Sequence, residues 1–161
     1  TLSRDGHLWW PDGSHQSLRV DKVVRVDGDE PHLSCLHRIT NSGTRPIAAW
    51  WGVEWNLKLE SDEGEQRRLT ILPAGGEHPL EARLDPVAAA GLELVDDGLG
   101  IAVTLTADAS PHWTSFGVHT LSQSEGGVDA IYQGTCVVVL RRVELAPGAV
   151  LEANLDLRVR T

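Results

Sequence analysis

The sequence predicts an all-β fold, a single-domain antiparallel β-sandwich, and three observations predict it. Apolar and polar residues alternate with period two through most of the chain. Turn-forming clusters recur between these runs. Helical spacing is confined to one short stretch, Asp85-Pro86-Val87-Ala88-Ala89-Ala90-Gly91, where Asp85 is placed to cap and Pro86 to open a turn or two of helix. The 161 residues correspond to one domain. A chain of that size buries roughly 70% of its unfolded surface.

Taken in order, residues 1–14 read as an irregular N-terminal arm, and residues 15–161 as the sandwich. Strand-like runs follow at Leu18–Val26 and His32–Thr40, separated by the turn Asp27-Gly28-Asp29. Asn41-Ser42-Gly43 turns the chain toward the run Trp50–Glu60, and the acid-rich Ser61-Asp62-Glu63-Gly64-Glu65 reads as a solvated hairpin tip. Arg67–Leu72 ends at Ala74-Gly75-Gly76. Leu92–Val95, the turn Asp96-Asp97-Gly98, and the alternation of Ile101, Val103 and Leu105 with Ala102, Thr104 and Thr106 spell a hairpin. Thr114–Leu121 and Ile131–Leu145 are further runs. After Pro147-Gly148, Leu151, Ala153, Leu155, Leu157 and Val159 face one side of a last strand, and Glu152, Asn154, Asp156, Arg158 and Arg160 the other. About nine strands spaced in this way make two packed sheets.

Charge and composition narrow the function. Fourteen Lys and Arg stand against 23 Asp and Glu, a formal charge of −9, and no basic cluster occurs. No nucleic acid or anionic membrane is expected as a partner, because both are held by basic patches. No apolar run approaches the roughly 18 residues of a spanning helix, and the first residues lack the pattern of a secretory leader. Cys35 and Cys136 both sit in apolar strand-like runs, where a thiol packs as a small hydrophobe. No disulfide and a cytoplasmic setting are the expectation. The absence of methionine points to a processed chain or a piece of a longer protein.

Two stretches concentrate chemistry. In Ala49–Leu59, period two puts Trp51, Val53, Trp55, Leu57 and Leu59 on one face, for the core. Trp50, Gly52, Glu54, Asn56 and Lys58 fall on the other. An indole plate, a gap at Gly52, a carboxylate and an amide suit a sugar ring that stacks on its C–H face and hydrogen-bonds at its edge. The alternative has Trp50 packed under a loop and Glu54 in a structural hydrogen bond or ion pair. In His119–Gly134, a Gly-Gly turn gathers His119, Glu125, Tyr132, Gln133 and several hydroxyls. So many polar groups on a loop suit binding or docking, although the same residues also make ordinary turn chemistry. The seven histidines show no zinc-ligand spacing, so no metal is expected. Neither a nucleophile elbow nor a phosphate-cradling loop is present, so no cofactor and no catalytic residue is assigned.

These two stretches resemble the C-terminal β-sandwich domain of glycoside hydrolase family 57 enzymes, the 4-α-glucanotransferases and α-amylase-like proteins. In that family a strand, an Asn and a turn lead into a phrase like Gly-Val-Glu-x-Asn-Leu. Here Arg38-Ile39-Thr40-Asn41 leads into Gly52-Val53-Glu54-Trp55-Asn56-Leu57. A longer phrase is matched by Thr120-Leu121-Ser122-Gln123-Ser124-Glu125-Gly126-Gly127-Val128-Asp129-Ala130-Ile131-Tyr132-Gln133-Gly134, with Val128 where an aromatic is usual and Asp129 where glutamate is usual. The likeness spans about Leu18 to Val159. It implies a supersandwich of the galactose-mutarotase type that packs on the catalytic (β/α) barrel of a parent enzyme, with the catalytic carboxylates in that barrel. It also implies an α-glucan or maltooligosaccharide as ligand, for which Trp50, Glu54, Asn56, His119, Glu125, Tyr132 and Gln133 are the contact residues nominated. Two other readings follow from the same kinship: a domain that only docks, and a free-standing mutarotase-like epimerase with His119 as acid and Glu54 or Glu125 as base.

Overall fold

The computed structural model describes residues 1–59, 66–73, 75–109, 111–124 and 127–161. Among them are twelve strands: β1 Leu2–Trp9, β2 His15–Val26, β3 His32–Asn41, β4 Ile47–Leu57, β5 Arg67–Leu72, β6 Glu77–Pro79, β7 Leu84–Ala88, β8 Gly91–Asp96, β9 Ile101–Ala107, β10 His112–Ser124, β11 Gly127–Leu145 and β12 Val150–Arg160. They form an eight-stranded sheet in the order β1-β2-β3-β12-β9-β8-β5-β6 and a four-stranded sheet in the order β4-β11-β10-β7. Every pairing among these strands is antiparallel.

The core lies between the sheets. Leu92, Leu94, Leu105 and Leu155 of the large sheet meet Trp113, Val137 and Val139 of the small one, all buried. The alternation read in β12 holds, with Ala153 and Leu155 buried and Glu152, Arg158 and Arg160 exposed. The β8–β9 hairpin also forms, with Asp96 opposite Ile101. Trp113 is fully buried, and its indole N–H donates to the Ala89 carbonyl at 3.1 Å, so the one polar atom of the ring is satisfied.

Buried Asn41 closes the other end. Its amide donates to the carbonyls of Arg45 (2.8 Å) and Leu145 (3.0 Å), and its oxygen accepts from the Gln16 side chain (3.0 Å) and the Gly43 N–H (3.1 Å). One amide thus ties the β3–β4 turn to β2 and to the end of β11, which is the work done by the Asn of the first family-like phrase.

Two expectations are corrected. Residues 1–14 are not an irregular arm: Leu2–Trp9 is an edge strand paired along its whole length with His15–Lys22, so the sandwich begins at Leu2. Its side chains are mostly exposed, so burial imposed little apolar periodicity to read. The segment after Asp85 is not helical either. Leu84–Ala88 is a strand, with Val87 opposite Trp113 and Ala88 opposite His112. As β7 is an edge strand, it tolerates Pro86, which a central strand would not. With β6, only three residues long, these are the strands beyond the nine read from sequence. The expected hairpin tip Ser61–Glu65 and the turn residue Ala74 lie outside the described residues. Both cysteines are buried and free.

Candidate functional site

Among the described residues β4 is the edge of the small sheet and pairs with β11 alone. Trp51, Val53, Trp55 and Leu57 pack on the core, while Trp50, Gly52, Glu54 and Asn56 face outward, as period two requires. Trp50 is 58% exposed and stands edge-on to His112, ring centroids 5.9 Å apart, so it is not packed under a loop. The Asn56 amide donates to the Glu54 carboxylate at 2.7 Å. Cys136 lies opposite Asn56 on β11, beside the Glu54 carboxylate. Burial first, then the adjacent Glu54 carboxylate, push the Cys136 thiol up to about 11. The gap expected at Gly52 is not open: a Cβ there would stand 3.0 Å from Cδ2 of Leu140, whose side chain leans over it.

A second group forms where the β10–β11 hairpin is offset by a bulge between Val118 and His119. Gly134 makes the offset possible, since its φ is 154° and a Cβ would meet the Leu57 carbonyl oxygen at 2.9 Å. His119 then faces Tyr132, with ring centroids 5.7 Å apart. The Thr135 hydroxyl donates to the Leu80 carbonyl at 2.9 Å, so its 2.6 Å bond to Tyr132 is donated by the phenol. Arg67, from the start of β5, lays its guanidinium 4.9 Å from the centroid of the Tyr132 ring. It donates to the Leu59 carbonyl (3.2 Å) and to Glu81 (3.1 Å). Glu81 also faces Nε2 of His119 at 3.4 Å. The Arg67 side chain is only 10% exposed, and its Nε is buried without a partner. Burial raises the Tyr132 phenol above its usual range.

The nominated residues therefore separate. Glu54 and Asn56 form one pair, and His119 and Tyr132 belong to another group. Trp50 stands six residues from Asn56 along β4, roughly 20 Å at strand rise. Gln133 reaches Thr120 at 3.1 Å rather than Tyr132's neighbours. Glu125 lies outside the described residues. His119 has Glu81 as its carboxylate neighbour and Glu54 is engaged by Asn56, so no His119–Glu54 acid–base pair is assembled. Arg67 and Glu81 were not nominated. No local motif marks them, and only the crossing of β5 and the β6–β7 turn brings them to the hairpin. Among the described residues, no three His, Cys, Asp or Glu side chains converge as metal ligands. A hollow of about 280 Å³ lies elsewhere, between the paired charges Arg68–Asp97 and Arg160–Glu93.

Two antiparallel sheets around this core, with a long offset hairpin on the smaller sheet, define a β-sandwich domain of the galactose-mutarotase-like kind. The fold is similar to a putative aldose 1-epimerase from Escherichia coli K12, at a TM-score of 0.66, 16% identity, and coverage of 98% of this chain and 65% of that one. It is also similar to a galactose mutarotase-like protein from Lactobacillus casei ATCC 334, at 0.58 and 14%, covering 98% and 69%. The chain belongs to the α-amylase/4-α-glucanotransferase C-terminal domain family, whose model matches residues 1–154. In agreement, it resembles part of the 4-α-glucanotransferase from Thermococcus litoralis, with a TM-score of 0.72 and 25% identity over 98% of this chain. It spans 20% of the length of that enzyme. No curated protein matches the chain at the level of whole-sequence similarity.

Proposed function

We propose that this chain is the non-catalytic accessory domain of an α-glucan-processing enzyme of glycoside hydrolase family 57, that it packs on the catalytic (β/α) barrel, and that the Arg67–Glu81–His119–Tyr132 group touches the glucan. The observation that carries this reading is the coverage: nearly all of this chain matches one fifth of a glucanotransferase, which leaves room in the parent for a separate catalytic barrel. Retaining transfer or hydrolysis uses two carboxylates about 5–5.5 Å apart across one bond. Glu81 is held by Arg67, and Glu54 by Asn56, so each carboxylate is committed to its own neighbours. The end group instead offers what a saccharide needs for binding: a ring edge, a carboxylate and donors held by fixed neighbours, with Glu81 and His119 still partly open to solvent. Two buried free thiols accord with a reducing, cytoplasmic setting.

The test is kinetic and uses the intact parent enzyme. His119→Ala and Tyr132→Phe raise KM for long α-glucans severalfold and leave kcat unchanged, because only binding away from the reacting bond is removed. Unchanged KM for both variants contradicts the glucan contact, and a collapse of kcat contradicts the non-catalytic role.

A further inference from the structure

The sandwich has two outer faces, and they differ in kind. On the eight-stranded sheet the outer side chains are charged and paired: Arg38 with Glu152 and Arg160 with Glu93 (3.4 Å) between strands, and Arg19 with Asp21 (3.0 Å) along β2. Such a mesh is satisfied in water and loses hydration if it is covered. The outer face of the four-stranded sheet carries Glu54, Asn56 and the Arg142–Glu144 pair (3.4 Å), but it also exposes large apolar side chains. Trp50 and Phe116 are 58% and 43% exposed, and Val118 and Ile131 are exposed as well. The half-buried Val138 and Leu140 fill the space between. The register makes this one surface: Gly52, Leu140 and His112 form one row across β4, β11 and β10, and Asn56, Cys136 and Phe116 another. Large apolar side chains exposed on a sheet face among polar neighbours mark an interaction surface.

We infer that this face is the docking surface for the catalytic part of the parent enzyme chain. The inference rests on the accessory-domain reading above and names the face it uses. The matched glucanotransferase carries four further fifths of chain beyond the region matched here, and Trp50 and Phe116 stand exposed on one face of this domain. The surface also sets the chemistry of that occupant. It presents apolar side chains to Trp50, Leu140 and Phe116, and a donor to the Glu54 carboxylate, which accepts from Asn56. Trp50 then serves as an interface anchor rather than a sugar plate, as exposed aromatics at domain seams do.

The molecule supplies its own control. Trp9, on the β1–β2 hairpin of the other sheet, is 64% exposed, close to Trp50. Hydroxyl-radical footprinting of the intact parent enzyme compares the two indoles in one sample. Trp9 is expected to oxidise roughly fivefold faster than Trp50 or more, since an interface core is packed like a protein interior. Equal protection of both, or protection of Trp9 with Trp50 open, overturns the choice of face and leaves the accessory-domain reading standing. Free oxidation of both removes packing altogether and takes that reading down with it. Protection of Trp50 that appears only with added maltoheptaose, or fades on dilution, overturns the inference in favour of a sugar or a second copy.

Discussion

Arg67 stacks its guanidinium on the ring of Tyr132, 4.9 Å from the ring centroid, and by doing so joins β5 of the large sheet to β11 of the small one. The contact closes the sandwich at the end where the hairpin leaves it, and it fixes the Tyr132 ring against which His119 packs.

Arg67→Ala is expected to cost about 2–4 kcal/mol, the sum of two hydrogen bonds and a desolvated cation–π contact. Arg67→Lys recovers less than half, because an ammonium cannot serve the Leu59 carbonyl and Glu81 as a fork. Urea unfolding of the two variants measures both, and equal stability of the lysine variant and the parent would refute the geometric account.

Asn41→Ala takes the amide from the Leu145 carbonyl and the Gly43 N–H, while Gln16 and the Arg45 carbonyl keep their own 2.7 Å bond. A loss of about 2 kcal/mol or more follows, since buried groups are left without a partner. The same unfolding assay reads it, and a loss under about 1 kcal/mol would show that water replaces the amide.

His37 is buried against the Trp51 ring, 5.2 Å between centroids, and burial lowers its pKa below the usual 6.5. The unfolded chain therefore binds the proton more readily than the folded one. Stability contributed by neutral His37 is complete above about pH 6.5 and is lost as pH falls through the lower folded value. The slope of stability against pH between 6.5 and 5 should flatten in His37→Leu; an unchanged slope assigns it to other groups.

Both thiols should be inert to a thiol reagent at pH 8 in the folded chain, because burial raises each. Glu54→Gln removes the negative charge that helps raise the Cys136 thiol and speeds labelling there, while leaving Cys35 unchanged. Equal acceleration at both cysteines would indicate general loosening instead.

Where one sheet face is buried, the sequence was readable, because burial writes period two into the chain. β12 and β4 carry it plainly, down to the outward Trp50, Glu54 and Asn56. β1 and β7 were not readable for the opposite reason. Edge strands with exposed side chains carry little pattern, and Pro86 preceding three alanines imitates a helix start. At the site, the hairpin motif led to His119 and Tyr132, but their partners Arg67 and Glu81 lie 52 and 38 residues before His119 in the chain. No local spacing encodes such a meeting; the sheet topology makes it. The space at Gly52 was misread because its occupant, Leu140, comes from the neighbouring strand.

The most direct test of the glucan-associated role is a backbone NMR titration of this chain with maltoheptaose. Saturable shifts at Arg67, Glu81, His119 and Tyr132, with Arg38 and Glu152 on the opposite face unmoved, are the predicted result. No shift at about 10 mM sugar, a concentration that reveals binding as weak as about −3 kcal/mol, would contradict it.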